Sequence, residues 1–433
     1  MNSYDRFDET SFPSQKDCYS QLNKESISDN DYNHALNVWK QLNIKNMGEY
    51  HDLYLTTDVL LLADVFEAFR DTAISNYHLD PTHYVSLPGF AWEALLKMTK
   101  IKLDVISDYD MYLMIESGIR GGMSMISRRH SKANNKYMKD YDSSKESKYI
   151  MYLDANNLYG WSMIQYLPTT NYKWEKVDKF DEITIMSLGD CDDKGYIFEV
   201  DLEYPEELHD LHNDYPLATE SFKVDSCMLS DHAKKLLETI NSKHNSKCKK
   251  LTPTLLNKSK YVVHYRNLKF YLEQGMILKK IHRVVSFNQA PWMKPYIDFN
   301  TTERAKAKYD YEKDFFKLMN NATFGKTMEN VRKRIRFELV NNETRFKKLV
   351  NDPTFDNAII MNENLTGVMR KKICVKLDKP IAIGMCVLDL SKLLMYDYHY
   401  NTIKKQYNDR ASLLFTDTDS LTYEIKQTTS MKI

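Results

Sequence analysis

Near the end of the chain two aspartates, Asp417 and Asp419, stand one residue apart in the run Leu413-Leu414-Phe415-Thr416-Asp417-Thr418-Asp419-Ser420-Leu421-Thr422-Tyr423. The flanks are apolar and β-prone, and strand alternation predicts both carboxylates on one side with the threonines on the other. Like charges held together in apolar surroundings are costly unless a cation neutralises them. A third acid, Asp154, closes a second apolar run, Tyr149-Ile150-Met151-Tyr152-Leu153. Three carboxylates at strand ends suit two Mg²⁺ ions, with Mn²⁺ as a substitute, and hence two-metal phosphoryl transfer. An Asp-x-Asp beside a turn also serves as a solvated cap, so the pair alone does not decide.

The acids need a partner surface for phosphates. Between Arg304 and Phe324 there is no proline and most positions carry good helix formers, which predicts one helix. At about 100° per residue, Lys306, Lys313, Lys317, Asn321 and Phe324 share an arc, with Phe315, Leu318 and Ala322 opposite, placed to pack on the body. Ammonium groups one turn apart suit a triphosphate, the ring suits a base pair, and Gly325 admits a close backbone approach. A solvated basic helix with one buried ring fits the same pattern, and in isolation fits it better.

Taken together the segments resemble the family B DNA polymerases. Asp154-Ala155-Asn156-Asn157-Leu158-Tyr159 is similar to the first palm motif of that family, Lys317 through Gly325 to its fingers motif, and Phe415 through Ser420 to its second palm motif, in the family's order. The resemblance is to the protein-primed branch, especially the polymerases of Polinton (Maverick) elements and related linear plasmids and viruses. It extends over Tyr54 to Leu62, Ile119-Arg120-Gly121-Gly122, Val200 to Pro205, Tyr296-Ile297-Asp298 and Leu390-Ser391-Lys392. Asn157, Gly160 and Trp161 stand where most of the family has Ser, Pro and Ser. Ala322, Phe324 and Phe415 replace a Ser and two Tyr. No departure removes a carboxylate or the triphosphate lysine.

The resemblance implies an α/β (α+β) right-hand polymerase with palm and fingers, preceded by a remnant of a ribonuclease H-like 3′–5′ exonuclease domain and with the thumb largely missing. The expected divisions are 1–132, exonuclease remnant and linker; 133–167, palm with the first motif; 168–250, an insertion like the one that contacts a priming protein; 251–336, palm and fingers; 337–380, a second insertion and return to the palm; and 381–433, palm with the acid hairpin. Asp154, Asp417 and Asp419 are implied as catalytic residues and metal ligands, Asp154 and Asp417 bridging two ions and Asp419 beside them. Tyr159, Lys313, Lys317, Asn321, Phe324, Gly325 and Arg304 are implied for the nucleotide. Gly121, Gly122, Arg128, Arg129, Lys326, Arg332 and Arg334 are implied for DNA, and Tyr54 with Asp58 as the exonuclease remnant. Nothing before Tyr54 supplies an Asp-x-Glu strand, so proofreading is not expected. The implied activity is DNA-directed DNA synthesis from dNTPs on template and primer, or on a priming-protein hydroxyl, by a monomeric fragment of a larger replicase. The alternative is a catalytically inactive, element-derived remnant that binds nucleic acid. Reverse transcriptases usually show adjacent aspartates, whereas Thr418 intervenes here.

Composition bounds the rest. The 433 residues carry 60 basic and 60 acidic side chains, so overall charge names no partner. Local charge does: Lys326 with Arg332, Lys333, Arg334 and Arg336; Lys243, Lys247, Lys249, Lys250, Lys258 and Lys260; and Arg370, Lys371, Lys372 and Lys376. Each run could follow a phosphate backbone or simply be a solvated face. Six scattered cysteines without Cys-x-x-Cys spacing suggest free thiols in a reducing compartment. His244 and Cys248 alone make a poor metal site. The polar start does not suggest a signal peptide, and no apolar run approaches membrane-spanning length. The expectation is a soluble intracellular protein, nuclear if a eukaryotic mobile element encodes it.

Overall fold

The computed structural model describes residues 4–243 and 248–427, which leaves His244 and Lys247 outside the described residues. The chain divides between Val85 and Ser86 into two compact units. In the first, Ser28 caps helix α1 (Asp29–Gln41) by accepting from the Asp31 amide, and Asn46 caps α2 (Met47–Tyr77) by accepting from that of Glu49. The helical spacing of Leu55, Val59, Leu62, Phe66 and Phe69 predicts the buried side of a long helix, and the structure corrects this. Leu55, Val59, Leu62 and Phe66 stand exposed, and only Met47, Ala73 and Tyr77 of this helix are buried. Periodicity encodes an apolar face but not what covers it.

The second unit runs through α3 (Leu87–Thr99) and α4 (Tyr109–Ser117) into β1 (Ser124–Ile126), β2 (Lys148–Asp154), α5 (Leu158–Met163), β3 (Leu167–Glu175) and β4 (Lys194–Glu203). Short strands β5 (Glu220–Phe222) and β6 (Lys250–Thr252) precede β7 (Lys258–His264) and the long β8 (Ile277–Ala290). Helices α6 (Lys294–Lys306) and α7 (Asp310–Thr327) come next. Then follow β9 (Ile335–Val340), α8 (Glu343–Val350), β10 (Phe355–Asn362) and β11 (Leu365–Lys371). Helix α9 (Ile381–Asp397) leads to the hairpin of β12 (Ala411–Asp417) and β13 (Ser420–Lys426). The architecture is mixed α/β, with sheets ordered β1-β12-β13-β2, β3-β8-β4-β7, β10-β11-β9 and β5-β6.

Compactness and strand pairing run across the expected divisions. Helices α3 and α4 fall in the second unit, not with a remnant ending at 132. The segment 168–250 does not stand apart, because β3 and β4 both hydrogen-bond to β8, and β4 also to β7. Residues 335–371 form their own three-stranded sheet over a small core of Val340, Leu349 and Val368. The main core lies beneath the acid hairpin, where Leu413, Leu421, Tyr423 and Ile425 pack with Leu158, Tyr396 and Tyr400.

The single helix predicted from Arg304 to Phe324 is two. Helix α6 ends at Lys306, Ala307 is extended at ψ 130°, and α7 begins after an extended Tyr309. Helix α7 buries Phe315, Phe316, Met319 and Thr323, whereas Leu318, expected on the packing side, is 50% exposed. No described helix is long and apolar enough to cross a membrane.

Candidate active site

Strand β13 is the hinge of the site because it pairs on both edges. Ser420 lies opposite Asp417 of β12 on one side and opposite Asp154 of β2 on the other, and Ser124 of β1 lies opposite Asp417. Residues directly opposite in antiparallel ladders point to the same face. Ser124, Asp417, Ser420 and Asp154 therefore form one row across four strands. Two interstrand steps of about 4.8 Å separate Asp154 from Asp417, with only a small serine between them. The face is the open one: Ile150, Tyr152 and Asp154 are exposed along β2.

Asp419 reaches the site differently from the prediction. Strand alternation does not carry it, since Thr418 adopts a positive φ of 56° and forms the tight turn with Asp419. The Asp419 amide donates back to the Asp417 carbonyl (2.6 Å), and its own carbonyl accepts from Ala155 N (2.8 Å), tying the turn to the end of β2. Burial, and next the charge on Asp154, hold the Asp419 carboxyl above its ordinary range; Asp417 adds to this. Ser124 Oγ donates to Asp417 Oδ1, and the Tyr152 hydroxyl donates to Asp154 Oδ2 at 3.2 Å.

Asp154 and Asp419 open onto a cleft of about 510 Å³. Residues 155–161 form one wall, including Tyr159, and Ile297, Asp298, Thr301, Arg304, Lys317, Asn320 and Asn321 line the rest. Among the described residues neither Arg304 nor Lys317 has an ion-pair partner. Asn320 is fixed by accepting from Asn300 Nδ2 at 2.8 Å, which aligns α7 on α6. On the other side the same two acids border a smaller, largely apolar cavity of about 290 Å³, lined by Leu394, Met395, Tyr398 and Leu421.

The donor set fits hard divalent cations in kind: carboxylate oxygens whose mutual repulsion shows in the Asp419 shift. As arranged, no three His, Cys, Asp or Glu side chains among the described residues gather closely enough to hold one ion together. Asp154 and Asp419 face the cleft together, and Asp417 stands beyond Ser420 on the same row.

The other expected residues divide. Arg304, Lys317, Asn321 and Tyr159 line the cleft; Lys313, Phe324 and Gly325 do not. Lys313 is paired with Asp310 at 3.1 Å, and Gly325 lies within α7 with open space around it instead of at a turn. Phe324 stacks on Tyr159. Gly122 packs against Thr418 so closely that a Cβ has no room, and Thr418 N donates to Met123 O at 2.8 Å, so this loop braces the acid turn. Its base is anchored by Arg120, which donates to Val262 O (2.7 Å) and whose carbonyl accepts from Lys392 Nζ (2.7 Å). Gly121 has open space around it, and Arg128 and Arg129 are exposed.

Lys326 and Arg334 are both paired with Glu329, and Arg332 with Glu116. Lys258 is buried against Glu220 (2.9 Å), which removes it from any phosphate-following run. Tyr54 and Asp58 are exposed one turn apart on α2. Sequence reasoning missed Ser124, Tyr152, Thr301 and Asn320. Asn320 sits beside the noted Asn321, but nothing in the sequence marks Ser124, because its role depends on strand pairing.

No family model matches this sequence, and no curated protein matches it. Among solved structures, the chain is similar to phi29 DNA polymerase complexed with primer-template DNA and incoming nucleotide substrates, at a TM-score of 0.47 and 15% identity, over 95% of this chain and 55% of that one. It is also similar to the orthorhombic form of phi29 DNA polymerase (0.45, 14%, 80% and 49%) and to its complex with single-stranded DNA (0.44, 15%, 80% and 49%). The chain spans about half the length of these structures.

Proposed function

We propose that this site performs template-directed nucleotidyl transfer, as a DNA-directed DNA polymerase of the protein-primed family B type. One observation carries the reading: Asp154 and Asp419 line the same cleft as Arg304 and Lys317, neither of which has an ion-pair partner among the described residues. Carboxylates and cations lining one cleft are what a nucleoside triphosphate with divalent metal requires. Asp154, Asp417 and Asp419 would hold Mg²⁺, which supplies charge neutralisation at the reacting phosphate and activation of the attacking hydroxyl. The chain's own residues do the positioning. Lys317 and Arg304 bind the triphosphate oxygens, Asn321 lies beside the nascent pair, and Tyr159 packs under the incoming sugar. The attacking hydroxyl belongs to a primer terminus or to a priming protein.

The test is primer extension by the 433-residue chain with Mg²⁺ and dNTPs. Asp154→Asn and Asp417→Asn are expected to abolish synthesis while DNA binding persists. Synthesis retained in either variant overturns the assignment. A wild-type chain that binds DNA but never extends a primer points instead to a non-catalytic nucleic-acid-binding role, for which the pairing of Lys326, Arg332 and Arg334 with glutamates leaves less free positive charge.

A further inference from the structure

We infer that Ser124 is a positioning residue for metal binding: its hydroxyl sets the carboxylate of Asp417, so that the glycine loop and the metal site form one mechanical unit. The inference rests on the polymerase reading of this site. Three independent contacts join the two segments. Ser124 pairs with Asp417 in the ladder, Ser124 Oγ donates to Asp417 Oδ1, and Met123 O accepts from Thr418 N at 2.8 Å. Gly122, with no room for a Cβ, lets the loop seat directly on Thr418.

The chemistry gives the hydroxyl a defined task. Asp417 is exposed at a strand end, and Oδ1, the oxygen that accepts from Ser124, also accepts from Thr418 Oγ1 at the longer distance of 3.5 Å. A donor on one oxygen fixes the carboxylate plane and leaves the second oxygen for a cation. Partners of this kind, behind the ligands themselves, typically contribute ten- to a hundredfold to metal affinity. Tyr152 offers the same service to Asp154 at 3.2 Å, but from its own strand. Ser124, by contrast, links Asp417 to a different segment, the loop that begins at Gly121.

The experiment titrates Mn²⁺ into the full chain without DNA, following free Mn²⁺ by electron paramagnetic resonance, and separately measures the Mg²⁺ concentration for half-maximal primer extension. Ser124→Ala is expected to weaken Mn²⁺ binding about tenfold and to raise the Mg²⁺ requirement in parallel. Ser124→Thr, which keeps the hydroxyl, is expected to restore both. Because Ser124 is exposed, the melting temperature of each variant should match wild type. Wild-type Mn²⁺ affinity in Ser124→Ala, or equal weakening in Ser124→Thr, overturns the inference. Asp417→Asn separates the two levels. If it is inactive while Ser124→Ala binds metal normally, only this inference fails; if it still synthesises DNA, the polymerase reading itself fails.

Discussion

The rings of Tyr159 and Phe324 lie stacked, with centroids 4.6 Å apart and planes within 15° of parallel. The contact joins α5 to α7, one element following the first acid and the other carrying Lys317. The Tyr159 hydroxyl titrates above its ordinary value through burial and the nearby Asp419 charge, so it stays a neutral phenol beside the acids. Phe324 thus acts on the cleft through Tyr159 and not by lining it. Tyr159→Ala should remove discrimination against ribonucleotides. Phe324→Ala should relax it about two- to twelvefold, the equivalent of the 0.5–1.5 kcal/mol an aromatic pair contributes. The ratio of kcat/KM for dNTP and NTP measures both, and unaltered discrimination in Tyr159→Ala would take this residue out of the site.

Lys317 and Lys313 are one helical turn apart, yet the structure assigns them different surroundings. Lys317 faces the cleft, whereas Lys313 is paired with Asp310 on the same helix and does not line it. A charge-assisted hydrogen bond of about 1.5–3 kcal/mol corresponds to a loss of about ten- to a hundredfold in kcat/KM for the dNTP when Lys317 becomes Ala. An exposed i,i+3 pair is worth only a few tenths of a kcal/mol, so Lys313→Ala should change the same constant less than about twofold. Equal losses in the two variants would show that the pairing of Lys313 with Asp310 does not separate their roles.

Asp419 supplies a pH signature. Burial, with the charges of Asp154 and Asp417, raises its carboxyl in the folded chain. The native state then keeps a proton that the unfolded chain has already lost, so in this interval the native state binds more protons and stability falls as pH rises. The loss begins near the ordinary aspartate value of about 3.9 and is complete above the raised one. Asp419→Asn should therefore raise the melting temperature at pH 7 in metal-free buffer. The gain should vanish near pH 3, where the wild-type carboxyl is neutral as well. A variant equally stabilised at both values would show that repulsion is not the cause.

Much of this was legible in the sequence, and what was not has physical reasons. Asp154 and Asp417 could be assigned to strand ends because apolar, β-prone flanks mark them, whereas Asp419 falls in the turn between strands. The row joining Asp154, Ser420 and Asp417 could not, since β13 must pair on both edges to create it, and register between distant segments leaves no local trace. The break at Ala307–Tyr309 was invisible because no proline or glycine marks it and Ala305, Lys306, Ala307 and Lys308 all favour helix. That break moved Arg304 onto a separate helix, although it still faces the cleft. The α2 stripe was legible as a face, but its exposure was not, because a pattern is silent about its cover. Gly122 was expected as a DNA contact through close backbone approach, and in the structure it gives space to Thr418.

The turn after Asp154 offers a test of the wall that Tyr159 stands on. Asn157 precedes α5 in the left-handed conformation, φ 58°, which Asn tolerates better than most side chains, and its side chain makes no capping hydrogen bond. Its amide lies over Gly160, where a Cβ would collide with Asn157 Nδ2 and Cγ. Two of the three departures from the resembled motif, Asn157 and Gly160, are thus one compensated pair: Asn adopts the strained backbone, and Gly makes room for its side chain. Gly160→Ala should destabilise the chain by about 1–3 kcal/mol through overpacking. Asn157→Gly removes the obstructing amide and keeps the positive φ, so the double variant should recover most of that loss. A double-mutant cycle on chemical denaturation measures the coupling, expected to exceed about 0.5 kcal/mol. Additive effects would mean that the Asn157 side chain leaves Gly160 for another position at little cost, and the wall beneath Tyr159 would then be softer than its geometry implies.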